Sequence, residues 1–290
     1  MTVSRVINGR KGVGAETRAM VKEAILALGY TPNVAARSLV TSAELRIGVI
    51  YSNPSAAFMS DFLTGVFEEA SMRGARLILL KGEAGRPPTP AALDSLIASG
   101  VCGMILAPPL GESQAILQVL RQARLPMAAV GAYAVDGAIC VRIDDRRAAY
   151  EMTRELLALG HRQLGFILGN PDQAASERLL DATPRPTAIF ASNDDMAAAA
   201  ISVAHRRQID VPRELTVVGF DDTTAAVTLW PPLTTVHQPV RRLASAALGL
   251  LAAEIAQPAA PSEPRTDHVL DHEITKRQST SPLKDGEARA

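Results

Sequence analysis

From residue 45 onward, short uninterrupted apolar runs alternate with amphipathic stretches, and this alternation constrains the fold more than any other feature of the chain. LRIGVIYS (45–52), ARLILLKG (75–82), GMILAP (103–108), PMAAVGA (126–132) and AICVRID (138–144) read as strands, separated by helical patterns over 58–73, 91–99 and 113–123. A strand that is apolar along its whole length needs cover on both faces, which predicts a parallel sheet flanked by helices. A helix over 146–159 leads into a second series. Its strands are QLGFILG (163–169), TAIFASND (187–194), LTVVGFDD (215–222) and the shorter LTTVHQPV (233–240), with helices over 196–206 and 241–255. QPAAPSEP (257–264) reads as a linker, VLDHEITKR (269–277) as one edge strand, and the end of the chain as a disordered tail. The expected fold class is α/β, with two similar lobes of parallel sheets flanked by helices.

Charge is balanced over the chain but uneven along it. Residues 1–46 carry seven basic side chains (Arg5, Arg10, Lys11, Arg18, Lys22, Arg37, Arg46) against three acidic ones, a net +4 within a chain whose total charge is zero. A basic head on a chain neutral overall suits phosphate contact, although a solvated helical surface has the same composition. No apolar run reaches the length of a membrane span, and MTVSRVINGRKG lacks the apolar core of a secretory leader. Cys102 and Cys140 lie in apolar contexts that suit buried thiols of a reducing compartment, so a cytoplasmic protein is expected.

Within the head, Val3, Val6 and Ile7 fall at helical spacing before Asn8-Gly9, and a second helix is expected over about 15–28 with Met20, Val21, Ala24, Ile25 and Leu28 as its apolar stripe. A short helix follows over 34–40. In the body, several strand ends carry polar residues: Ser52-Asn53, Asp144-Asp145, Asn193-Asp194-Asp195 and Asp221-Asp222. Ligands of parallel sheets bind beyond the carboxyl ends of the strands, and paired amides and carboxylates complement hydroxyls, which both donate and accept. A helix N-cap after a strand is the competing explanation for each Asp, and it is preferred for Asp195 and Asp222.

TVSRVING, ETR…ALGYTPNVAARSL, RIGVIYSNP, LALGHRQLGFILG, RPTAIFASNDDMAAAA, VPRELTVVGFDDT and PPLTTVHQP, in this order, resemble the LacI/GalR regulators over residues 2 to about 277. The resemblance implies a partial helix-turn-helix head (1–31), a hinge helix and linker (32–44), and a periplasmic-binding-protein-like sensor (45–280). The sensor is expected to have an N-lobe of about 45–145, a C-lobe of about 146–257 and a return segment over 265–280, with a tail at 281–290. It implies that TVSRVIN is the later part of a recognition helix. Arg5 would then read a base, Thr2, Ser4 and Asn8 would contact base or phosphate, and Thr17 and Tyr30 would contact phosphate. Asn33, Arg37 and Leu39 fall in the hinge, where Leu39 matches a wedge that unstacks a central base step. In the sensor it implies effector contacts from Asn193, Asp221 and Arg178, an apolar wall from Phe58, and a weaker contact from Asp144.

Two departures from the family pattern carry expectations of their own. Met1 falls inside the recognition helix, so a first helix and turn are expected to be encoded upstream in frame. Only residues 170–186 separate QLGFILG from TAIFASND, as though a helix-turn-strand-helix portion were lost. One crossover helix still fits there, leaving an apolar sheet edge and an uncovered sheet face.

GRKGVG has neither a preceding strand nor a following Lys-Ser/Thr, so it reads as a loop and not a phosphate cradle. Asp267, His268, His272 and Glu273 read as a solvated edge and not a metal site. No serine elbow, His–Asp pairing or cofactor fingerprint points to an enzyme. Trp230-Pro231-Pro232 is expected to shape a loop near the cleft. The expectation is therefore a cytoplasmic, homodimeric regulator, read as a repressor of a carbohydrate-utilisation operon, without cofactor or metal. Its partners are palindromic operator DNA and a sugar or glycoside effector. The alternatives are a free sugar-binding protein of the same fold and a degraded regulator without specific DNA binding.

Overall fold

The computed structural model describes residues 14, 17, 20, 44–53, 55–83, 86–169, 173–257 and 267–283. The chain divides into two compact units, residues 1–44 and 45–290. In the first, Thr17 and Met20 are helical and exposed, so Met20, expected on an apolar stripe, is not buried there.

The second unit contains two sheets. The first runs β10-β5-β4-β3-β1-β2, with β1 (Arg46–Tyr51), β2 (Arg76–Lys81), β3 (Gly103–Leu106), β4 (Met127–Val130), β5 (Ile139–Ile143) and β10 (Asp267–Leu270), and all its pairings are parallel. The second runs β11-β9-β8-β7-β6, with β6 (Leu164–Ile167), β7 (Ala188–Ala191), β8 (Thr216–Asp221), β9 (Thr234–His237) and β11 (Glu273–Thr275). Only β11 in it is antiparallel to its neighbour. β3, β4, β5 and β7 are buried at every position, as apolar runs demand, and the one charged residue among them, Arg142 of β5, pairs with Asp267 of β10.

Helices α1 (Ala56–Arg73), α2 (Pro90–Ala98), α3 (Gln114–Gln122), α4 (Asp145–Ala158), α5 (Gln173–Leu180), α6 (Asp194–Arg206), α7 (Thr224–Thr228) and α8 (Val240–Ala256) cover the sheets. One face of the first sheet packs on α2 and α3 through Leu93, Leu96, Ile116, Leu117 and Leu120. One face of the second packs on α5 and α6 through Leu180, Met196, Ala200 and Ile201. The remaining core runs continuously through both lobes, from Phe62 and Val66 of α1 to Phe190 and Val218 of the second sheet.

Three expectations about the chain path are corrected. Residues 269–277 are not one strand: β10 joins the first sheet and β11 the second, so the chain changes lobes at Asp271-His272. α8 does not belong to the C-lobe. It packs along α1 and onto β3, β4 and β5, and at Gly65 a Cβ would collide with the carbonyl oxygen of Arg241. The C-lobe therefore ends near His237. The tail is ordered at its start: the Ser281 hydroxyl donates to the carbonyl of Pro212 at 2.8 Å, and the Leu283 amide donates to that of Leu159 at 2.8 Å.

The short 170–186 connection contains the single crossover helix α5, and β6 is an edge. Leu179 of α5 packs over Gly165 on one face of β6. On the other face Leu164, Phe166 and Leu168 stay 37%, 57% and 76% exposed.

Candidate functional site

A cavity of about 460 Å³ opens where the carboxyl ends of both sheets meet. It is lined by Asn53 after β1, Pro108 after β3, Gly131 after β4, Asp145 after β5, Leu168 after β6, Asn193 after β7, Asp221 ending β8 and Gln238 after β9. The parallel topology alone brings these eight chain positions together. Phe58 of α1 and Phe220 of β8 supply apolar wall, and the ring of Phe58 stacks on that of Phe62 at 6.4 Å.

Asn193 caps α6: its Oδ1 accepts from the Met196 amide at 2.8 Å, leaving its NH₂ group for the cavity. Asn53 is used the same way, its Oδ1 accepting from the Ser55 amide at 2.8 Å. Asp221 is 8% exposed and has φ of 110°, and Asp222 follows at 58°. Two successive non-glycine residues at positive φ cost of order 1–3 kcal/mol each, and strain of this kind collects at functional sites. The turn directs Asp221 into the cleft, where its Oδ1 accepts from Gln238 Nε2 at 2.5 Å.

Burial, reinforced by the negative charge of Asp194, holds the Asp221 carboxyl well above the usual carboxylate range despite the bond from Gln238. Asp145 is also raised, first by desolvation, with Arg142 opposing and Asp144 adding to the shift. Asp194 is fully buried beneath the cleft and pushed up to about 6 by burial, against hydrogen bonds from Thr235 and Thr223.

Of the sensor residues expected at the effector, Phe58, Asn193 and Asp221 share the cavity, and Asp144 and Arg178 do not line it. Asp144 is the N-cap of α4, accepting from the Arg147 amide at 3.0 Å, and its neighbour Asp145 lines the cavity instead. Arg178 is exposed, because α5 turns Ser176 and Leu180 inward and Glu177 and Arg178 outward. Trp230 is 75% exposed and also outside the lining. Asp222 is not a helix cap: it accepts from Arg277 Nη2 at 2.6 Å and lies 3.1 Å from His237 Nδ1. Asp195 lies in the first turn of α6, whose cap is Asn193. Glu112, Ser192, Leu243 and Gln238 were missed. Gln238 follows a strand end and could have been found by the rule that found Asn193. Glu112 sits in a 3₁₀ turn with no periodic signal.

Of the DNA-contact candidates only Thr17 is among the described residues. Thr2, Ser4, Arg5, Asn8, Tyr30, Asn33, Arg37 and Leu39 lie outside them. Among the described residues no helix is long and apolar enough to cross a membrane.

Family models match along the chain in order. The bacterial regulatory proteins of the lacI family match residues 1–33, the periplasmic binding proteins and sugar binding domain of the LacI family match 44–179, and a periplasmic binding protein-like domain matches 140–280. The HTH-type transcriptional regulator CelR of Thermobifida fusca is 30% identical over 82% of this chain and 83% of its own length. Catabolite control protein A of Priestia megaterium is 27% identical over 96% of this chain and 95% of its own. The solved structure of a CelR–cellobiose complex superposes with a TM-score of 0.71 at 26% identity, covering 95% of this chain and 94% of that one. A lac repressor dimer bound to operator and an anti-inducer gives 0.75 at 24%, covering 97% and 94%, which supports the fold. With the fold, the order of its domains and these relatives in agreement, the chain belongs to the LacI family of bacterial transcriptional regulators.

Proposed function

We propose that this regulator acts in the cytoplasm as a homodimeric repressor of a carbohydrate-utilisation operon, its affinity for a palindromic operator set by a small sugar-like effector in the cleft. The observation that carries this reading is the convergence of Phe58 of α1, Asn193 at the cap of α6 and Asp221 of β8 on one cavity. Its volume falls in the usual range for small-ligand sites, and its amides and carboxylates beside aromatic wall suit a polyhydroxylated ring. The cellobiose complex of a relative adds support.

The chain passes between the lobes at Asp144, around Gln238 and at Asp271-His272. A ligand held from both lobes favours one lobe arrangement over another, and only that difference in affinity changes DNA binding. For the dimer, the exposed Phe67 and Met72 of α1 and Leu79 of the edge strand β2 supply apolar surface. The DNA-contact roles of Thr2, Ser4, Arg5, Asn8, Thr17, Tyr30, Asn33, Arg37 and Leu39 belong to this proposal.

Selection from a random pool of DNA duplexes tests it. The full-length protein should enrich a palindrome with two half-sites. Equal retention of unselected duplexes at the same salt concentration would overturn operator recognition.

A further inference from the structure

The cavity is lined by three carboxylates, Glu112, Asp145 and Asp221, and by no Lys, Arg or His among the described residues. The arginine expected to supply a positive charge, Arg178, faces solvent on α5.

The polar lining divides by role. The Oδ1 atoms of Asn53 and Asn193 already accept from backbone amides, so these side chains offer N–H donors to the cavity. Asp221 is more than nine-tenths buried, and with Oδ1 held by Gln238, its Oδ2 has no hydrogen-bond partner among the described residues. Glu112 accepts from the Tyr133 amide through Oε1, and Asp145 lines the cavity from the start of α4. The site therefore presents donors for hydroxyl oxygens and an excess of anionic acceptors. An ammonium group carries three donors and no acceptor, and matches that excess. A carboxylate or phosphate on the ligand would face three carboxylates without a countercharge.

We propose that the effector is an amino sugar or aminated polyol bearing a free ammonium group, which Asp221 receives with Asp145 and Glu112 nearby, while Asn53 and Asn193 donate to its hydroxyls. This rests on the reading of the cleft as an effector site and narrows its ligand class. A cation there also favours the ionised form of the Asp221 carboxyl, which burial and the nearby Asp194 and Asp195 of α6 and Asp145 of α4 raise above the usual carboxylate range against the bond from Gln238. Ammonium binding should therefore strengthen as pH rises and the carboxyl ionises, until the ligand's own amine deprotonates.

Calorimetric titration of the full chain against matched sets provides the test. The sets are glucose with glucosamine and glucuronate, galactose with galactosamine and galacturonate, and cellobiose with the β-1,4-linked glucosamine disaccharide. The expected result is that an amino member binds at least about tenfold more tightly than its hydroxyl parent. The Asp221→Asn variant should lose that preference while folding normally, because asparagine tolerates positive φ. Glu112→Gln, on a surface turn, should reduce the preference as a second check. A neutral sugar or uronate binding as tightly as or tighter than its amine overturns this inference and leaves the sugar-effector reading standing. No binding by any compound overturns both.

Discussion

Thr235 donates its hydroxyl to Asp194 at 2.6 Å, joining the start of α6 to β9 across the intervening strand β8. The other carboxylate oxygen accepts from the Thr223 amide at 2.7 Å and the Thr223 hydroxyl at 3.0 Å. Asp194 thus fastens three chain segments beneath the cleft, leaving Asn193 and Asp221 to face it.

The fastening depends on Gly219. A Cβ there would lie 2.5 Å from Asp194 Oδ1 and 2.7 Å from Leu233 Cδ2. Gly219→Ala should destabilise the protein by about 1–3 kcal/mol in chemical denaturation, the usual cost of overpacking. Thr235→Val, which removes one donor to a buried carboxylate, should cost a similar amount. Wild-type stability in both would contradict this role of Asp194.

Acid and neutral pH should act on two buried groups in opposite directions. Asp194 is raised from 3.8 to about 6, so the folded state holds its proton more firmly than the unfolded state. Its contribution to stability is fully present below about 4 and is lost as pH rises through about 6, a change on the order of 3 kcal/mol. His161 is lowered by burial, with its Nε2 3.1 Å from the Ser281 carbonyl oxygen. Its contribution is fully present above its ordinary value near 6.5 and is lost as pH falls through its lowered value. In stability measured against pH, Asp194→Asn should flatten the decline between about 4 and 6. His161→Gln should remove the loss on the acid side.

The order of strands and helices was legible because each buried strand announces itself as a short apolar run. What was not legible was which lobe an element joins. The α8 sequence VRRLASAALGLLAAEIA is amphipathic and would suit either lobe. The close approach permitted by Gly65, and its packing on β3, β4 and β5, place it beside α1. Likewise β10 and β11 read as one alternating run because the residues between them, Asp271 and His272, are polar in the same rhythm. In the site, strand-end position found Asn193 and Asp221. It could not choose between the adjacent Asp144 and Asp145, since one residue of helix phase decides which of them caps and which lines.

The effector roles of Arg178 and Asn193 separate cleanly. Arg178→Ala should leave ligand affinity within about twofold, because the residue lies outside the cavity. Asn193→Ala should weaken binding by roughly tenfold or more, the loss of a buried donor at the ligand. Titration of either variant with the ligand that binds the wild type most tightly decides it. A large loss in Arg178→Ala would mean that α5 moves to the cleft on binding.

The uncovered face of β6 should govern association in solution. Leu164 and Phe166 expose apolar surface on a strand that is a sheet edge among the described residues, the arrangement that favours edge-to-edge pairing. Leu164→Lys should suppress concentration-dependent light scattering and change unfolding stability by less than about 1 kcal/mol, since Leu164 is already 37% exposed. Unchanged scattering would place the sticky surface elsewhere.

The most direct test of the account is the affinity of the full-length protein for its selected palindrome, with and without saturating cleft ligand, at one fixed salt concentration. The account predicts a change of at least about tenfold in the wild type, and little change in Asp221→Asn at the same ligand concentration. An operator affinity indifferent to a ligand that demonstrably fills the cleft would contradict it.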